Sequence, residues 1–284
     1  MAIFSNQATL TYNGSSTNSN IAYGEILDVL VASKTAVEAN YAPGQIVTYV
    51  VTLRNTGNAA LTGLTVTDDL GGYVFNGTTV YPLTYETGSV VMFTNGVAQV
   101  APAVASGPPL VFSGITVPAG GDVVLIYQAR ANAYANPTAE GTINNTVTVT
   151  GDGLNAPVIA TETVTADTAP VLTISKSITP AQVVDNDRVT YTFAIQNSGN
   201  QPVVATDNAA ITDTFDPILT ALTVTFEGAA WTEGVQYNYD ETTGLFTTAP
   251  GQIQVPAATY TQDPVTGAYT ATPGIVTLVV TGTI

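Results

Sequence analysis

A 284-residue chain that is 45% hydrophobic and only 9% charged can fill two cores, and its surface must be covered largely by Thr, Asn, Ser, Gln and Gly. Its net charge of −16 leaves five cationic side chains, Lys34, Arg54, Arg130, Lys176 and Arg188, too few for a basic patch, which speaks against nucleic acid or an anionic membrane as a partner. Histidine and cysteine are absent, removing the usual zinc sites, the Ser-His-Asp and Cys-His pairs and all disulfides.

The chain opens MAIFSNQATLTYNG, with no basic leader and no apolar run suited to a cleavable signal peptide. No stretch of about 18 apolar residues follows, so no membrane insertion is expected. Successive strand side chains point to opposite faces, so residues 1–14 predict a strand with Phe4, Asn6, Ala8, Leu10 and Tyr12 on one face. Residues 15–24, rich in Ser, Thr and Asn, read as a flexible tether or hinge.

Beyond them helical periodicity is missing. Short segments alternate apolar residues with Thr or Ser between turn signals such as Ala42-Pro43-Gly44 and Asn55-Thr56-Gly57-Asn58, the pattern of antiparallel sandwiches. The fold class is all-β: two tandem Ig-like sandwich domains, residues 25–151 and 170–284, joined by a connector at 152–169 that includes a possible short strand.

The two domains are repeats. Ser33–Asn58 aligns without a gap on Ser175–Asn200, which pairs Lys34 with Lys176, the two lysines of the chain. Asp68 then falls on Asp213, and Gly121–Ala131 on Gly274–Ile284. Domain 1 continues into Ile143-Asn-Asn-Thr-Val-Thr-Val-Thr150, whereas the sequence of domain 2 supplies no such strand. The N-terminal segment does: Phe4–Gly14 lies residue for residue over Ile143–Gly153, with Asn6 on Asn145.

Strand parity puts polar residues on apolar faces. Lys176 shares a face with Leu172 and Ile174, Asp68 with Leu64, Val66 and Leu70, and Asp213 with Ile211 and Phe215. Asn145 lies with Ile143, Val147 and Val149, and Asn6 with Phe4, Ala8 and Leu10. Each domain would bury one Lys, one Asp and one Asn, domain 2 borrowing its Asn. One reading is a buried Lys–Asp ion pair with the Asn hydrogen-bonded beside it. The sharper one is reaction: an apolar interior disfavours both charges, and a neutral amine can attack the Asn carbonyl with the acid assisting. Ammonia leaves and an isopeptide remains, a single event of maturation and not turnover, so no enzyme is expected.

At these residues, from the strand-borne Lys through V-T-Y and N-x-G-N to V-T-D and I-x-N-T-V-T-V, the chain resembles the bacterial surface repeat modules of domain-of-unknown-function family eleven. In size and module content it is also similar to clostridial endospore-appendage subunits. The resemblance implies Ig-like modules in tandem on cell-wall or appendage proteins. Taken with the Lys–Asn cross-links of Gram-positive pilins and adhesins, it gives Lys34, Asp68 and Asn145 these roles in domain 1, and Lys176 and Asp213 in domain 2. Asp69 and Asn144 are rivals whose parity points outward.

The expectation is a head-to-tail homopolymer, a cell- or spore-surface fibre whose N-terminal donor strand completes the next copy's domain 2, with Lys176 bonded to Asn6. No cofactor, metal or small-molecule substrate is expected; Asp185-Asn186-Asp187, Asp152 and Asp240-Glu241 lack a calcium-loop spacing. The alternative is a monomeric or stalk-borne adhesin, binding through the 73–109 segment or through Trp231, Tyr237 and Tyr239.

Overall fold

The computed structural model describes residues 2–26 and 28–284. Among them the backbone is strand and turn, with one 3-10 turn at Ala205–Asp207. No helix among these residues is long and apolar enough to cross a membrane. The chain divides into two units, residues up to Asn136 with Thr142–Thr165, and Pro137–Gly141 with Ala166–Ile284. Each carries an antiparallel β-sandwich of Ig-like type.

The N-terminal arm is a hairpin. β1 (Ala2–Asn6) pairs with β4 (Ala22–Ile26), and β2 (Thr9–Tyr12) with β3 (Ser15–Asn18), antiparallel in both cases. Asn13 and Gly14, both at positive φ, make the two-residue turn whose twist suits a hairpin. The segment expected as a flexible tether, 15–24, is therefore mostly the return limb of this hairpin. Its Ser, Thr and Asn give no apolar alternation, so pairing with residues 2–12 leaves no mark in its own sequence.

Domain 1 packs two sheets. The first places β5 (Leu30–Ala36) beside β7 (Ile46–Asn55) and β7 beside β10 (Asp122–Ala131), with shorter strands beyond; β6 is the two-residue strand Asn40–Tyr41. The second runs β9 (Leu110–Val117), β8 (Leu61–Asp68), β11 (Thr142–Thr150), β12 (Val158–Ala166), β6. The expected connector 152–169 thus contains a full strand, β12, paired to β11 along its length from Thr142↔Thr165 to Val149↔Val158. Alternate residues of β7 and β10, among them Tyr49, Val51, Leu53, Leu125 and Tyr127, are buried, as period-two patterning requires. They meet Leu64, Val66, Phe112, Val147 and Val149 of the other sheet, all fully buried.

Domain 2 repeats the first sheet with β13 (Leu172–Thr179), β14 (Arg188–Asn197), β19 (Gly274–Thr283) and β16 (Thr220–Phe226) in that order. The second sheet is shorter: β15 (Thr212–Thr214), β18 (Leu245–Thr248), β17 (Tyr237–Asp240). Phe193, Phe215, Leu219, Phe246, Leu278 and Val280 form its core. In domain 1, Asp68 on β8 lies between Leu110 of β9 and Val147 of β11. In domain 2, Asp213 on β15 faces Phe246 of β18, and the other edge of β15 carries no strand among the described residues.

Candidate functional site

The inward faces of β5, β7, β8, β10 and β11 converge on one polar cluster in the core of domain 1. Lys34 Nζ donates to Asp68 Oδ2 at 2.6 Å, and both side chains are completely shielded from solvent. Tyr127 also donates its hydroxyl to Oδ2, while Oδ1 accepts the backbone N–H of Leu70 at 2.7 Å. The Lys34 ammonium position lies 4.7 Å from the centre of the Tyr49 ring, which stacks on Tyr127 at 5.8 Å. Asn145, wholly buried, has no hydrogen-bond partner for either amide atom, and neither does the Tyr49 hydroxyl. A buried amide left unpaired costs about 1–3 kcal/mol.

Burial pushes the Lys34 amine below its ordinary range, against the pull of the Asp68 carboxylate. Burial first, and then Asp68, push both tyrosine hydroxyls up, and the nearby Asn145 amide opposes that rise. Lys34, Asp68, Asn145 and the two tyrosines therefore share one pocket. A lysine biased toward its neutral form is a competent nucleophile.

The rivals stand outside it. Asn144 faces outward and accepts from Thr163 Oγ1 at 2.7 Å. Asp69 Oδ1 accepts the N–H groups of Gly71 and Thr146, both at 2.9 Å, and holds the turn after β8.

Domain 2 has the same cluster without its lid. Lys176 donates to Asp213 Oδ2 and lies 4.5 Å from the Tyr191 ring centre and 5.2 Å from that of Phe215. Yet the lysine side chain is 37% exposed and the aspartate 19%. Leu172, which stands where Leu30 does in domain 1, is 43% exposed against 4%. Leu172 and Ile174 line an apolar groove of about 170 Å³ with Ile195, Ala209, Ile211 and Ile253. Tyr191 keeps the place of Tyr49, but Val280 replaces Tyr127, since each pairs across the sheet with the other's counterpart.

Asn6 belongs to the arm. Phe4, Leu10 and Tyr12 are each more than half exposed there, and Ala8 is exposed too. Asn6 falls in the first unit and Lys176 in the second.

Sequence parity misses the tyrosines. Tyr49 and Tyr127 read as ordinary core residues of Val-rich strands, and the available signal was the V-T-Y repeat itself. The aromatic candidates for ligand binding are packed instead: Tyr237 is buried, Trp231 stacks on Phe226 at 5.1 Å, and the Tyr239 hydroxyl bonds the backbone of Leu219. Asp187 and Asp240 cap turns, accepting from Val184 N–H and Thr242 N–H.

No family model matches the chain, and no curated protein matches it. Among solved structures it is similar to RrgB, the pilus backbone of Streptococcus pneumoniae, at 13% identity over 86% of this chain and 55% of that one, with a TM-score of 0.35. This chain thus spans about half of RrgB. A 35 kDa C-terminal fragment of the major pilin of Streptococcus agalactiae is similar at 11% identity over 88% and 80%, TM-score 0.37. So is the N-terminal domain of a Streptococcus gordonii adhesin, at 18% over 54% and 36%, TM-score 0.36. At these scores the likeness is one of β architecture alone.

Proposed function

We propose that this chain is the subunit of a self-assembling fibre on a cell or spore surface. The N-terminal arm of one copy completes domain 2 of the next, and Lys–Asn isopeptide bonds reinforce both domains. One observation carries the reading: the same repeat positions are dry in domain 1 and wet in domain 2, Leu30 against Leu172 and Lys34 against Lys176. In domain 1 the edge of β8 beside Asp68 is occupied by β11, and the segment that matches β11 in sequence is the arm.

An open sheet edge over an uncovered core is an aggregation hazard unless a partner fills it. A head-to-tail contact that does not close on itself fills it in every copy and grows an open filament. In the β11 register, Asn6 falls at Asn145 and Leu10 at Val149, which pairs with Val66. Ile211 is the counterpart of Val66, so Leu10 enters the groove beside Ile211.

In domain 1, Lys34 Nζ attacks Asn145 Cγ. The new C–N bond forms as the C–NH2 bond breaks, and the proton lost by the amine passes through Asp68 to the departing ammonia. In the fibre, Lys176 meets Asn6 of the next copy with Asp213 in the same role. Negative-stain microscopy of the protein with and without residues 1–14 tests the assembly. Filaments of the full chain that vanish on truncation are expected, and filaments that survive it overturn the proposal.

A further inference from the structure

Domain 1 covers its cluster with two strands, not one. β11 lies against β8, and β12 pairs with β11 on the far side, closing the sheet's outer part and burying Val164 and Ala166. Inward pairs are Ile143↔Val164, Asn145↔Glu162, Val147↔Ala160 and Val149↔Val158, apolar but for the pair at Asn145. Outward pairs are mostly polar, Thr148↔Ile159 being the exception, and two are bonded across the ribbon: Thr146 and Thr161 share a hydrogen bond at 3.0 Å, and Thr163 donates to Asn144 at 2.7 Å. β11 and β12 are an amphipathic hairpin, and domain 2 shows a counterpart of neither.

The arm is built in the same way. Its inward pairs would be Phe4↔Gly24, Asn6↔Ala22, Leu10↔Thr17 and Tyr12↔Ser15, large residues on the first limb against small ones on the return. The Phe4 ring lies over Gly24 so closely that a Cβ there would come within 2.3 Å of it. The opposite face is polar at its tip, with Thr9 donating to Asn18 at 2.8 Å across the ribbon. Midway the register shifts by one residue on the return limb, and the gap is bridged by Ser19, whose N–H donates to Ala8 O at 2.8 Å and whose Oγ accepts from Ala8 N–H at 2.9 Å. The two paired stretches of the arm are thus separate ladders held together at Ser19. An isolated two-stranded ribbon with an exposed apolar face is marginal in water and gains most by docking that face.

We infer that the element handed from copy to copy is this whole hairpin: residues 2–12 pair with the free edge of β15 while residues 15–26 stay paired to them, in the place β12 holds in domain 1. The inference rests on the fibre reading and changes its mechanics. A single donated strand would strip residues 15–24 into a tether, whereas a donated hairpin leaves only residues 27–29 between the docked arm and β5.

The test locks the hairpin. With no native cysteine, Ser5→Cys with Tyr23→Cys on the outward face of β1–β4 introduces the one possible intramolecular disulfide. Thr9→Cys with Asn18→Cys near the tip gives a second, independent lock. If the hairpin docks intact, each oxidised variant polymerises to the same extent as its reduced form. Oxidised protein that stays monomeric while the reduced form polymerises shows single-strand exchange and overturns the inference, leaving the fibre standing. Wild-type protein that forms no filaments overturns both. Hydrogen exchange on wild-type filaments gives a reading without substitutions: protected amides over residues 15–26 are expected, and exchange there as fast as in an unfolded chain overturns the hairpin.

Discussion

Lys34 illustrates how a buried charge site becomes a chemical one. Its amine is held by Asp68 and two tyrosine rings, and the unsatisfied groups nearby are the Tyr49 hydroxyl and the Asn145 amide that the proposed bond would consume. Intact mass should therefore find the chain lighter by one ammonia, and Lys34→Ala or Asn145→Ala should restore the full mass. Asp68→Ala should also restore it while leaving both reactants in place; an unmodified wild-type mass would leave only the ion pair. The bond closes a loop of about 110 residues, and by chain entropy that is worth on the order of 4 kcal/mol. Loss of it should lower the melting temperature by roughly 10 °C or more.

The free amine also predicts a pH signature. In Asn145→Ala the folded Lys34 pKa lies below the ordinary 10.5, so between the two values the unfolded chain binds a proton that the folded chain does not. Stability then rises with pH through that window and is lowest beneath the folded pKa. Tyr49 and Tyr127, raised in the fold, act oppositely above pH 10, but in both proteins. Melting curves should show the deficit of Asn145→Ala against the bonded wild type shrinking as pH approaches 10. A deficit independent of pH would mean that Lys34 is not held toward neutrality.

Among elements, the contrast is between β8, flanked on both sides, and β15, flanked on one. The groove beside Ile211 is where the equivalent of Val149 is missing, so Leu10→Asp should abolish filaments while leaving the mass and melting of domain 1 unchanged. Leu10→Val, the residue domain 1 itself uses, should retain them. Filaments of undiminished yield from Leu10→Asp would put the arm elsewhere. The inward parity of Lys34, Asp68 and Asn145 was legible because a polar residue among Val and Leu on a period-two strand stands out. β12 was legible only as a possible short strand within the connector, and the arm's pairing was hidden because the Ser, Thr and Asn of its return limb give no apolar alternation. Tyr127 was hidden for the opposite reason: an aromatic on a buried face looks like packing until its hydroxyl is seen on Asp68.

At the scale of the whole molecule, the two clusters differ in what they need. Domain 1 contains its Lys, Asp, Asn and Tyr127, so on the proposed chemistry it would mature alone, whereas domain 2 holds Lys176 and Asp213 half-open, with Val280 in place of the tyrosine. In the proposed fibre, bonding at Lys176 would be conditional on assembly, since it is the docked arm that would bring Asn6 and exclude water. A wholly non-covalent fibre would gain little from a lysine there, because covering the Lys176–Asp213 pair costs the desolvation of both charges. Wild-type filaments boiled in detergent and reductant should run as a ladder of covalent multimers, each rung lighter by one ammonia per subunit and one more per junction. Lys176→Ala and Asn6→Ala should collapse the ladder to monomer while filaments still form at room temperature, because the groove and strand edge remain. A wild-type filament that dissolves to monomer under these conditions would remove the junction bond and leave docking intact. A ladder that persists in Asn6→Ala would move the acceptor to another side chain of the arm, and Asn13, at the hairpin turn, is the next to substitute.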